Sequence, residues 1–227
     1  MAAVGAFVDA DVLSAPMTRT LLLVAAAQRG SRFHVHWSPA AEAEADRALR
    51  PGQTRVAELR QRFDWGTAVL VPDATPEAMA ALTDTSSTDR HILASAVAAG
   101  LPVVVTRNVH DFGRNDLAHA GVSAVHPDRF LSQMVSEAEY RRSLEAMAVG
   151  RAWPPNTPET LHAAFGAGHP LLFEAMRTVY PGVDPKPSTD APPAEVFRGN
   201  HCFACGKRLS DPESLALGVG PGCRRRR

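Results

Sequence analysis

Cysteine is scarce: three occur in 227 residues, and all lie between positions 202 and 223. A disulfide framework spread along the chain is thereby excluded, and three thiols in one short stretch point towards metal instead. An excess of charge is also missing. Lys plus Arg and Asp plus Glu number 24 each, so net charge selects no partner, and a nucleic-acid role would have to rest on local basic patches. Long apolar runs are absent too: the longest, LLLVAAA at residues 21–27, falls far short of a membrane span. The first residues carry no basic n-region and pass directly into strand-like sequence. No secretory signal is expected, and the expected location is cytoplasmic. No internal repeat is visible.

What is present suits a globular protein, with 45% hydrophobic and 21% charged residues. The length accommodates one medium domain and an appendage. Strand and helix signals alternate through the first two-thirds. GAFVDADVL (residues 5–13) reads as a buried strand, and Ser14 as the cap of a helix starting at Pro16. FHVHW (33–37) reads as a strand, and Ser38-Pro39 opens a helix. A further helix spans about 54–63, followed by a strand at 68–72. Thr75-Pro76 and Thr88-Asp89 open two more helices, the second stopping at Gly100. PVVVT (102–106) has the all-apolar character of a central parallel strand, and VSAV (122–125) reads as the last one. This alternation predicts a three-layer α/β/α domain with a central parallel sheet over residues 1–131. A helical extension at 132–180 follows, broken at Pro154-Pro155 and at Gly166 to Gly168. Next come a Pro-, Asp- and Ser-rich linker at 181–199 and a small cysteine-containing module with a basic tail at 200–227.

Several acids fall where a parallel sheet places its ligands, beyond the carboxyl ends of the strands. Asp9 and Asp11 lie two residues apart in the first strand or just after it, which would put both on one face. Asn108 and Asp111 follow the central strand, Asp89 begins the helix that feeds it, and Glu44 lies in the second helix. Converging carboxylates repel one another unless a hard divalent cation neutralises them, and Mg²⁺ or Mn²⁺ is the expected occupant. Taken singly, each acid has an ordinary reading. Asp9 and Asp111 suit turns, Asp89 suits a helix start, and Glu44, near Glu42 and Asp46, suits a solvated helix face.

The combination resembles the PIN domain, and most closely the VapC-type toxin ribonucleases. The resemblance is carried by FVDADVL, WSPAAEAEADRAL, DRHILASAVAAGLPVVVTRN and NVHDF, over roughly residues 5–131. It implies a metal-dependent endoribonuclease, the toxin of a type II toxin–antitoxin pair, with Asp9, Glu44, Asp89 and Asp111 as the Mg²⁺- or Mn²⁺-binding acids. Asn108 would orient a ligand or water, with Asp11, Ser38 and Thr106 in support. Many relatives have Asn at the position of Asp11 and Asp at that of Asn108. Glu44 is preferred to Glu42 because its distance from Ser38 matches the family pattern. Arg90, Arg107 and Arg114 flank the acids and suit an RNA substrate. The partners implied are RNA and a cognate antitoxin, with a homodimer allowed and no membrane. A non-catalytic nucleic-acid-binding or adaptor protein on a degenerate PIN domain is the alternative. A phosphatase or DNA nuclease on the same scaffold is not separable by sequence.

The carboxyl-terminal region reads CFACGKRLSDPES and then GVGPGC. Cys202-x-x-Cys205 before Gly206 is a knuckle suited to Zn²⁺, with Cys223 as a third thiolate. His201 is the nearest candidate for a fourth ligand, with another His or Asp211 as alternatives. A redox pair or free thiols are the plainer reading. The glycine run at 218–222 lacks the βαβ context of a nucleotide loop. With the arginine tail, the module could contact RNA phosphates without specificity.

Overall fold

A computed structural model describes residues 3–62, 68–149, 156–188, 193 and 195–224. The proline pair at 154–155 and the last three arginines, about which expectations were formed, lie outside these residues.

The chain opens with β1 (Val4–Val8), α1 (Ala10–Leu13) and α2 (Pro16–Ala26), followed by β2 (Phe33–Trp37) and α3 (Pro39–Ala48). Then come α4 (Val56–Arg62), β3 (Ala68–Leu70), α5 (Pro76–Ala80) and α6 (Arg90–Ala98). The central strand β4 (Val103–Val105) leads into a 3₁₀ turn (Val109–Asp111), α7 (Arg114–Ala120) and β5 (Ser123–Val125). Four helices follow: α8 (Pro127–Met134), α9 (Glu137–Val149), α10 (Pro158–Gly168) and α11 (Pro170–Ala175). The chain closes with β6 (Phe197–Arg198), α12 (Pro212–Leu217) and α13 (Pro221–Arg224).

The strands form one sheet in the order β3-β2-β1-β4-β5-β6, with the first five parallel and β6 antiparallel to β5. This is an α/β fold compatible with the PIN architecture. The chain winds outward from β1 to β3, returns to β4 beside β1 and continues to β5. The order therefore reverses between β1 and β4, where an open α/β sheet leaves its ligand crevice. Register pairs Val8 with Val105, and the ladder continues as Asp9 N–H donates to Val105 O over 3.0 Å.

Two local expectations are corrected here. The first strand ends at Val8, not near Leu13, because the Asp9 carboxylate accepts the Ala10 N–H at 2.6 Å and starts a helix. Asp9 and Asp11 thus do not share a strand face; one caps α1 and the other lies in its first turn. Ser14 does not cap α2. It ends α1, its hydroxyl donating to Asp11 O at 3.0 Å, while α2 starts from Ala15 with no side-chain cap. Ser38 does cap α3 as expected, its Oγ accepting Ala41 N–H at 3.3 Å with Pro39 in the first turn.

The core is continuous from the sheet into the later helices and the cysteine-bearing segment. Phe130 of α8 meets Phe33 edge-on at 5.1 Å and lies 6.0 Å from Phe203, which is fully buried. The stretch expected as linker contains β6, whose Phe197 is buried 6.1 Å from Phe203. Asp128 of α8 accepts the N–H groups of Leu171 and Leu172 at 3.0 and 2.8 Å, pinning the start of α11 to the domain.

Candidate functional site: carboxylates at the sheet's carboxyl edge

The site is built at the β1/β4 reversal. Asp9 follows β1 directly and is 4% exposed. Asp11, two residues further on, accepts the Arg107 N–H at 3.0 Å and the Thr106 hydroxyl at 3.5 Å. The Thr106 hydroxyl in turn accepts Asn108 N–H at 3.0 Å. Thr106 is therefore the hub that ties the end of β4 to α1.

Asp89 arrives on a different support. Residues 83–89 are held to α7 by Asp116, whose carboxylate accepts the N–H groups of Thr83, Asp84 and Thr85 at 3.3, 3.0 and 2.8 Å. Burial acts to raise Asp116, but hydrogen bonds from Thr85, Asp84 and Thr83 outweigh it and hold the carboxyl below its ordinary value. Gly113 N–H donates to Thr85 Oγ1 at 3.1 Å, and a Cβ on Gly113 would fall 2.4 Å from the backbone of Asp84. Ser86 N–H donates to Asp111 O at 2.8 Å, joining the same loop to the 3₁₀ turn.

Three carboxylates sense one another electrostatically. Burial, then Asp11 and Asp89, push Asp9 well above the ordinary carboxylate range, with the Thr106 hydroxyl acting in the opposite direction. Burial also raises Asp11, to about 6, with Asp89 adding to the rise and Arg107 opposing it. Asp11 Oδ1 is buried without a hydrogen-bond partner. An all-oxygen set carrying excess negative charge and an orphaned acceptor fits a hard divalent cation. The acids do not close on an ion-sized point. Among the described residues, only Cys202, Cys205 and Cys223 form a group of three candidate ligands within 4.8 Å of one another.

The other expected residues are placed as follows. Glu44 is exposed and pairs with His91 Nε2 at 3.3 Å, which links α3 to the first turn of α6. Glu42 is buried, accepting from Trp37 Nε1 at 2.9 Å and Arg60 Nε at 3.0 Å, so it braces the core. Asp111 pairs with His110 at 3.3 Å. Arg107 and Asn108 are exposed beside Asp11 in a cleft, whereas Arg90 Nε donates to Thr85 O at 3.1 Å and Arg114 pairs with Glu195 at 2.7 Å. Sequence reasoning missed Asp116 and Gly113. An acid in a first helical turn and a glycine before a helix carry no local sign of the loop they hold.

The three cysteines gather at the opposite, amino end of the sheet, beside Val4 and Pro102. Their sulfurs all lie within 4.8 Å of one another, a grouping that could hold a metal ion. Burial and the neighbouring thiols raise Cys223 to about 12. For Cys205, burial acts to raise the thiol, but hydrogen bonds from Lys207 and the other two cysteines leave it lowered. Neither His201 nor Asp211 falls within the group of three thiols. His201 forms an isolated antiparallel bridge with Arg208, and its ring lies beside Gly121. Asp211 instead caps α12, accepting Ser214 N–H at 2.8 Å.

Residues 192–227 match a family model described as a family of unknown function (DUF6011). Over 99 residues the chain is 32% identical to a protein of Mycobacterium tuberculosis (strain ATCC 25618 / H37Rv) described as "Putative ribonuclease VapC50". The match covers 43% of this chain and 59% of that relative, so the chain spans about three-fifths of the curated relative's length. No solved structure matches the chain. No helix among the described residues is long and apolar enough to cross a membrane.

Proposed function

We propose that residues 1–131 form a PIN-type nuclease domain that cleaves RNA with a divalent metal, and that the chain is the toxin of a type II toxin–antitoxin pair. The observation that carries this reading is the placement of Asp9 and Asp11 just beyond the β1/β4 reversal, within electrostatic reach of Asp89, with a buried acceptor of Asp11 left unpaired. Likeness to a protein named as a ribonuclease supports it. Asp9 and Asp89, with Glu44 and Asp111 at the rim, would hold Mg²⁺ or Mn²⁺. When bound, such an ion lowers the pKa of a water and balances charge on a phosphodiester.

The chain's own residues do the rest. Thr106 and the Arg107 N–H hold Asp11, Asp116 holds the loop that leads to Asp89, and Asn108 would orient a ligand at the mouth. The acidic edge would be the surface that a cognate antitoxin covers, in the cytoplasm and with a homodimer allowed. Residues 132–180 would extend the domain, 181–199 would connect, and 200–227 would form a module holding Zn²⁺ through Cys202, Cys205 and Cys223. The test is Mg²⁺-dependent cleavage of RNA by Asp9→Asn and Asp89→Asn: both are expected to lose it while unfolding cooperatively. Full cleavage by both variants would rule the reading out.

A non-catalytic nucleic-acid-binding protein on the same scaffold is the second reading, favoured by the acids' failure to group within 4.8 Å. Mn²⁺ titration separates the two, because only the nuclease reading requires Mn²⁺ binding that is lost with Asp9 and cleavage that EDTA stops.

A further inference from the structure

Beside the acidic edge lies a cleft of about 680 Å³, running from Asp11, Arg107 and Asn108 to Thr18, His126 and His169. That is the size of a small-ligand site. Its inner wall belongs to the sheet domain and its outer wall to the helices beyond it, since His169 sits between α10 and α11. The Asp128 bonds to Leu171 and Leu172 fix this outer wall.

The lining holds one carboxylate, Asp11, at its acidic end, where the Arg107 N–H and charge offset it, and hydrogen-bonding groups beyond it. His126 Nδ1 accepts Asp128 N–H at 3.3 Å, so in the neutral ring the hydrogen is on Nε2. His169 Nε2 lies 3.2 Å from the buried Thr18 hydroxyl. Arg107 takes part in none of the ion pairs among the described residues. After burial, the charge of Arg107 is what disfavours protonation of His126, and His126 and Arg107 together disfavour that of His169. One permanent cation, Arg107, and two imidazoles held neutral by burial and by that charge thus share one cleft. Imidazoles could also bind a transition metal, but the neighbouring guanidinium repels a cation and attracts a phosphate.

The geometry points to this cleft as the subsite for a backbone phosphate of the RNA strand, next to the phosphate presented to the acids. Arg107 supplies the charge, and His126 and His169 supply hydrogen bonds. This rests on the nuclease reading, and it assigns the helical extension a part in holding substrate.

The experiment measures binding of a fluorescent single-stranded RNA oligonucleotide to the full chain, in EDTA and in an Asp89→Asn background, across a salt series. Because no cleavage is read, failure of the nuclease reading leaves the measurement intact. Adding Arg107→Gln is expected to weaken binding about tenfold and to reduce the salt slope by about 0.7, the value for one phosphate on a single strand. His169→Gln is expected to weaken binding about threefold with a smaller change in slope. Exposed Arg29→Gln should change neither. A melting temperature close to the parent's shows that the variants are folded. Unchanged affinity and slope in both Arg107→Gln and His169→Gln would overturn the proposal. So would stabilisation of the chain by inorganic phosphate at constant ionic strength while RNA affinity stays unmoved, since the cleft would then serve free phosphate.

Discussion

The carboxylate of Asp116 lies 2.8 Å from the backbone nitrogen of Thr85 and receives two further N–H groups from the same loop. One side chain on α7 therefore sets the position of Asp89, which it does not touch. Asp116→Ala leaves three N–H groups without that acceptor and is expected to destabilise the chain by about 2–3 kcal/mol. RNA cleavage should fall with it, even at temperatures where the variant remains folded. Chemical denaturation and initial cleavage rates check both halves.

Gly113→Ala tests the same support from the other side. A methyl group would sit 2.4 Å from the Asp84 backbone, so the loop must shift. The expected cost is about 1–3 kcal/mol, as for overpacking elsewhere. A melting temperature equal to the parent's would show that the loop is not held as described.

Glu42 and Glu44 should separate cleanly. Glu42→Gln weakens the pairing with Arg60 while keeping an acceptor for Trp37, and is expected to cost about 1 kcal/mol of stability with cleavage retained. Glu44→Gln removes a half-exposed partner of His91, and should leave stability within about 0.5 kcal/mol while cleavage drops sharply. The reverse pattern would move the catalytic role to Glu42.

Acid should loosen the cleft before it loosens the sheet. Burial, with Arg107 nearby, lowers His126 from 6.5 to about 4. The unfolded chain then takes up a proton at a pH where the folded chain does not. Stability contributed by the neutral ring is fully present above 6.5 and is lost as pH falls towards 4. By pH 5 the loss is about 1–2 kcal/mol, and His126→Gln should flatten this part of the stability–pH curve. Unfolding by urea at a series of pH values measures it.

Zinc removal should act at a distance from the acids. The full chain is expected to carry one Zn²⁺, and chelation should lower the melting temperature without stopping RNA cleavage at a temperature where the sheet stays folded. Elemental analysis of the wild type and Cys202→Ser checks the metal. A wild-type chain free of zinc would return the thiols to a redox reading.

The parallel layer was legible because short apolar runs such as VVV, set between Gly, Pro and polar residues, have few other ways to be buried. Asp9 stood out as a candidate from its place after such a run, whereas its role as a helix cap was not legible. Glu42 and Glu44 lie in one exposed-looking helix; only the contacts of Trp37 and Arg60 tell them apart. His126 and His169 are distant in sequence and meet through Asp128 and the turn before α11, which no periodicity announces. A two-residue strand such as β6 has no period to detect, and its composition is that of a loop.

That short strand has a consequence of its own. Without Phe197 and Arg198, β5 would present the unpaired backbone of Ser123–Val125, three residues that are fully buried in the intact chain. Such an open, apolar margin is a template for another copy of itself. The cysteine-bearing segment thereby acts as a stopper against self-association, and a chain cut before Phe197 should clump even with every acid in place.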